Sequence, residues 1–153
     1  LQQRGFNLSE EAVREGLASV TSRTGMMGRW QVIGHNPRIV CDTGHNEEGI
    51  DRVVNQLLQT PGKKLHIVLG FVQEKSLDKI LALLPREADY YFTQAPVQRA
   101  MDASLLAAKA KEHGLSGKVI PDVKEALEAA KAEAGSKDMI FVGGSTFVVA
   151  EVL

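Results

Sequence analysis

Short apolar runs alternate with longer stretches of helical periodicity through most of this chain, and that alternation restricts the fold more than any other feature. Strands are expected at Trp30 to Ile33, Arg38 to Cys41, Leu65 to Leu69, Tyr90 to Thr93, Lys118 to Ile120 and Met139 to Val142. Between most of them lie segments long enough for a helix. Continuous apolar strands separated by helices favour a parallel sheet covered on both faces, with right-handed crossovers. The reading is an α/β fold: a Rossmann-like three-layer α/β/α domain with a mostly parallel sheet, occupying 1–153 as one domain.

The helix signals are local and specific. Ile50, Val53, Val54, Leu57 and Leu58 follow the i, i+3, i+4, i+7, i+8 pattern, predicting a helix over 47–59 that stops at Pro61-Gly62. Leu8 to Val20 predicts another, capped by Ser9 or Asn7 and carrying Val13, Leu17 and Val20. Ser76 is expected to cap a helix bearing Leu77, Ile80, Leu81 and Leu84. Asp102 is expected to cap one that runs to about Glu112, and Asp122 with Glu125 resembles a capping box. Thr21 to Gly28 reads as a connector, Gly34-His35-Asn36-Pro37 as a turn, and Gly143-Gly144-Ser145 as the entry to a final helix.

Bulk properties remove several classes. A formal net charge of −1 with mixed signs offers no basic stripe for nucleic acid. No apolar run approaches the roughly 20 residues that span a bilayer. The one cysteine, Cys41, sits in an apolar strand and reads as a small core residue. It allows no disulfide within the chain, and a cytoplasmic location is expected. The chain begins at Leu1 and ends soon after a glycine turn, so a fragment of a longer protein is expected.

Chemistry concentrates where Ile39-Val40-Cys41 runs into Asp42-Thr43-Gly44-His45-Asn46. The carboxyl ends of strands in open α/β sheets form the ligand crevice. Asp42 can accept from ribose hydroxyls, or can cap the following helix, a role open to Asn46 as well. His45 can hydrogen-bond to a phosphate or carboxylate. Arg29, between Gly28 and Trp30, can clamp phosphate with two parallel hydrogen bonds. Ser145 adds a hydroxyl at a glycine-rich helix start, where backbone N–H groups attract anions. Lys75 and Arg99 read as surface residues. There is no Walker A loop, no metal-binding histidine spacing and no nucleophile elbow.

Gly28-Arg29-Trp30, Asp42-Thr43-Gly44-His45-Asn46 and Gly143-Gly144-Ser145 together resemble the carboxy-terminal domain of folylpolyglutamate synthase/dihydrofolate synthase, in the Mur ligase superfamily. Met27 stands where that family usually has proline, and Thr43-Gly44 replace glycine-alanine. The resemblance implies an ATP-dependent ligase that adds L-glutamate to dihydropteroate or folate through an acyl phosphate, with Mg²⁺. It implies that the phosphate loop and metal ligands lie in an amino-terminal ATPase domain, this chain's partner. Arg29, Asp42 and Asn46 would then serve the nucleotide, and His45 and Ser145 the incoming glutamate or the phosphate in transfer; Arg29 and His45 would be catalytic. The isolated domain is expected to be inactive.

Two alternatives stand beside this. Peptidoglycan Mur ligases share the fold and the arginine–acid pair. A receiver-like signalling module would use Asp42 as phosphoacceptor, but it needs an acidic pair beyond its first strand, where Gly34-His35-Asn36 offers none.

Overall fold

Strict alternation along the central strands decides the architecture. The computed structural model describes Gly5, residues 7–73 and residues 76–153, so Lys75 lies outside the described residues. The strands are β1 (Gln31–His35), β2 (Arg38–Asp42), β3 (Leu65–Leu69), β4 (Asp89–Phe92), β5 (Gly117–Val119) and β6 (Met139–Gly143). Val40, Ile67, Leu69, Tyr90, Phe92 and Phe141 enter one core; Ile39, Cys41, Val68, Tyr91, Ile140 and Val142 enter the other. Successive side chains of a strand point to opposite faces, so each face needs its own helical cover.

The helices supply it. α3 (Glu47–Gln59), α4 (Leu77–Leu83) and α5 (Ala103–Glu112) cover the first face through Ile50, Val53, Leu57, Ile80, Leu81 and Leu106. α6 (Val123–Glu133) and α7 (Thr146–Ala150) cover the second through Val123, Ala126, Leu127, Val148 and Val149. Sheet order is β1-β2-β6-β3-β4-β5, antiparallel only between β1 and β2. The expected three-layer, mostly parallel fold is what forms.

Local departures have physical reasons. Chain reversal in the hairpin needs only Asn36-Pro37, so β1 runs on through Gly34 and His35. The helix expected to Val20 divides into α1 (Glu10–Ala18) and α2 (Val20–Thr24), which takes part of the expected connector. Ser9 caps α1, accepting the Ala12 N–H at 3.1 Å. Neither helix buries a residue, and Val13 and Leu17 remain 43% and 69% exposed. Leu58 also points outward, since the α3 stripe is narrower than its apolar sequence. Ser76 occupies the N-cap of α4 without a side-chain hydrogen bond.

At the amino-terminal end of the sheet, the fully buried His66 meets a polar network. Tyr91 Oη donates to Glu133 Oε2 at 3.0 Å, so its oxygen is left to accept from His66 Nδ1 at 3.2 Å. Among the described residues His66 Nε2 has no hydrogen-bond partner; Asp138 Oδ2 lies 3.6 Å away. Glu133 also binds Lys118.

Candidate functional site

Parallel register lines up the carboxyl ends of the strands. Asp42 pairs with Gly143, Gly143 with Leu69, Leu69 with Phe92, and Phe92 with Val119. The loops leaving β2, β6, β3 and β4 therefore emerge on one rim.

Asp42 holds the first part of this rim together. Its Oδ2 accepts the Trp30 N–H at 2.7 Å and its Oδ1 accepts the Gly44 N–H at 2.7 Å. Thr43 N–H donates to Gly28 O at 2.8 Å, and Gln31 Oε1 accepts the Gly28 N–H at 2.8 Å. The Gly28-Arg29-Trp30 segment is thus tied to the end of β2 through its own main-chain groups on both sides of Arg29, Gly28 O to the Thr43 N–H and Trp30 N–H to the Asp42 carboxylate. Trp30 adopts φ +42, which costs a non-glycine residue roughly 1–3 kcal/mol unless its surroundings hold it there. The charged acceptor on its N–H offsets that cost. Gly28 has φ +71, and a Cβ there would come within 2.7 Å of Thr43 Cγ2. Thr43, bulkier than the glycine usual in the resembled family, fits because residue 28 has no side chain.

Arg29 itself is exposed and makes no hydrogen bond or ion pair among the described residues. Its charge is available at the rim. Asp42 is 9% exposed, and each oxygen keeps a further lone pair beyond its backbone bond.

Asn46, not Asp42, caps α3: its Oδ1 accepts the Gly49 N–H at 2.8 Å. Its amide nitrogen is uncommitted among the described residues. His45 Nδ1 lies 3.0 Å from Thr43 O. A carbonyl only accepts, so Nδ1 carries the proton, and in the neutral ring Nε2 is an acceptor. Donation from Nε2 requires the imidazolium.

His45 and Ser145 meet in one open cavity of 440 Å³, lined also by Val72, Gln73, Arg99, Thr146 and Phe147. Ser145 caps α7, its oxygen accepting the Phe147 N–H at 3.1 Å, so the hydroxyl proton remains to donate. Gly144 just before it has φ +91, and a Cβ there would lie 2.8 Å from Gly70 O. Only glycine lets the β6 and β3 loops approach this closely. Arg29, Asp42 and Asn46 do not line the cavity; they stand beside it, joined through the Asp42–Gly44 bond.

Arg99 is exposed, as expected, and it also lines this open cavity, its guanidinium 4.9 Å from the centre of the Phe147 ring. No local pattern announces that pair, because the two residues belong to distant loops. Among the described residues no group of three or more His, Cys, Asp or Glu is gathered to hold a metal ion.

Comparison with known proteins adds context. Residues 28–146 match the family model described as Mur ligase, glutamate ligase domain. The dihydrofolate synthase/folylpolyglutamate synthase of Escherichia coli K12 is 30% identical over 154 residues, covering 100% of this chain and 35% of that protein. A structure of E. coli FolC in complex with DHPP and ADP superposes with a TM-score of 0.80 at 27% identity, over 97% of this chain and 34% of that one. A bifunctional folylpolyglutamate synthase/dihydrofolate synthase with Mn, AMPPNP and L-glutamate bound superposes at 0.81 and 32% identity, over 96% and 34%. The chain spans about a third of the length of each.

Proposed function

Because the chain belongs to the Mur ligase glutamate ligase domain family, we propose that it forms the carboxy-terminal part of an ATP-dependent ligase adding L-glutamate to dihydropteroate or to a folate's glutamyl tail. In that reaction ATP activates the acceptor carboxylate as an acyl phosphate, the glutamate amine attacks it, and phosphate leaves. Mg²⁺ and the phosphate loop belong to an amino-terminal ATPase domain, on which this domain closes. The cytoplasm is its location.

The observation that carries this reading is the pair of main-chain ties at the end of β2. They fix Arg29 on the rim that also carries His45 and Ser145. Arg29 neutralises phosphate charge as it develops, a role for which a preset cation is worth most when water is excluded. Asp42 holds the Arg29 segment and keeps lone pairs for nucleotide hydroxyls, and Asn46 offers its amide nitrogen beside them. In the neighbouring cavity His45, when its ring is neutral, offers Nε2 to an ammonium or amine proton, and Ser145 offers a donor to an anion.

The test is glutamate addition by the complete two-domain ligase, with ATP, Mg²⁺ and either a folate or a UDP-linked acceptor. Incorporation of L-glutamate into the folate alone is expected. Incorporation only into the UDP-linked acceptor would transfer the chain to the peptidoglycan branch, and incorporation into neither would refute the ligase reading.

A further inference from the structure

Arg99 carries a permanent charge on the exposed lining of the cavity. Among the described residues its guanidinium forms no ion pair and no side-chain hydrogen bond; its close partner is the face of Phe147 at 4.9 Å. Stacking restrains the guanidinium plane and leaves its N–H groups for another partner. The backbone beneath is pinned as well: Gln73 N–H donates to Arg99 O at 3.1 Å, and Ala100 bridges Val72. The loops after β3 and β4 therefore fix the backbone that carries this cation. No described residue lining the cavity is acidic.

The remaining groups define what fits beside it. With Nδ1 donating to Thr43 O, His45 Nε2 is a hydrogen-bond acceptor in the neutral ring, and the Ser145 and Thr146 hydroxyls can donate. An acceptor, hydroxyl donors and one fixed cation match an amino-acid zwitterion that bears additional negative charge. Resting on the ligase reading above, we propose that Arg99 is a substrate-binding residue for a carboxylate of the incoming amino acid, with Phe147 as its positioning residue.

The experiment is steady-state kinetics of the complete two-domain ligase, varying L-glutamate at saturating ATP and folate acceptor. Arg99→Ala is expected to raise KM for L-glutamate by about tenfold or more, the scale of one charge-assisted hydrogen bond. The effect on kcat at saturating glutamate should be much smaller, and KM for ATP should stay near its wild-type value. Arg99→Lys should recover part of the loss, since charge survives and the planar fork does not. Phe147→Leu should raise KM for L-glutamate by a smaller factor. Inhibition by L-glutamine separates the two carboxylates: weaker inhibition of Arg99→Ala assigns the α-carboxylate, and unchanged inhibition assigns the side-chain one. An unchanged KM for L-glutamate would overturn the assignment. So would a KM for ATP that rises in parallel, since the cation would then serve a phosphate. Failure of the wild-type ligase to add glutamate at all is a different result and refutes the function, not the role of one arginine.

Discussion

Asp42 binds Trp30 through the backbone, its Oδ2 accepting the N–H at 2.7 Å, and so the acid at the end of β2 fixes the residue next to Arg29. The arginine–acid pair is linked by geometry and not by an ion pair. The carboxylate spends one oxygen on each neighbouring loop, Trp30 on one side and Gly44 on the other.

Replacing that carboxylate should therefore damage structure and function together. Asp42→Ala leaves the Trp30 and Gly44 N–H groups without their acceptor and releases the positive φ at Trp30. Removing bonds to a charged acceptor predicts a loss of about 1–3 kcal/mol. Urea unfolding of the 153-residue chain measures it. A midpoint equal to wild type would show that these bonds do not hold the rim.

Arg29→Ala should separate the two effects. The side chain is exposed and has no partner among the described residues, so stability should change by less than about 0.5 kcal/mol. Turnover of the complete ligase should fall on the order of a hundredfold, as for loss of one preset charge-stabilising donor. Undiminished turnover in a folded variant would remove Arg29 from the mechanism.

Cys41 should be chemically silent. It is fully buried, and burial, with the charge of Asp42 adding to it, pushes its thiol up to about 11. The thiolate is the reacting species, so almost none exists at neutral pH. A thiol-specific disulfide reagent should label the native chain only as fast as it unfolds, and should label it fully in denaturant. Rapid stoichiometric labelling at pH 7 would contradict the packing of β2.

Stability should decline on the acid side. Lys118, with Tyr91 adding to it, holds the Glu133 carboxyl below the usual carboxylate range; the Gly135 N–H, with His66 adding to it, does the same for Asp138. A lowered folded-state pKa contributes stability above the unfolded value, and that contribution is lost as pH falls through the folded value. The window lies at and below about pH 4. Thermal midpoints should be level from about pH 5 to 8 and fall below that, and Glu133→Gln should make the fall shallower. A variant profile parallel to wild type would exclude Glu133 as a contributor.

What could be read from sequence was local. Asn46 precedes a stripe containing Ile50, Val53, Val54 and Leu57, all within one helix, and the observed α3 has the expected limits. Strand alternation was legible for the same reason. Val13 and Leu17 have the spacing of a buried face, yet no residue of α1 is buried, because periodicity reports a helix and not what covers it. Residue type leaves Asp42 open between cap and ligand; Asn46 is the cap, and the two loop N–H groups that Asp42 accepts are a further role that pattern does not announce. That role depends on Trp30 reaching φ +42, which side-chain pattern does not reveal. Arg99 is exposed, as its sequence context suggests, but its meeting with Phe147 depends on how the loops after β4 and β6 converge, which no local pattern carries.

The sheet's centre is its last strand to be synthesised. β6 is hydrogen-bonded to β2 on one side and β3 on the other, so before Gly143 leaves the ribosome this sheet exists only as a hairpin and a separate three-stranded piece. Translation that stops short of Met139 leaves those halves unjoined, and their exposed edges become targets for chaperones and proteases. The ligand crevice exists only in a molecule whose synthesis has passed β6.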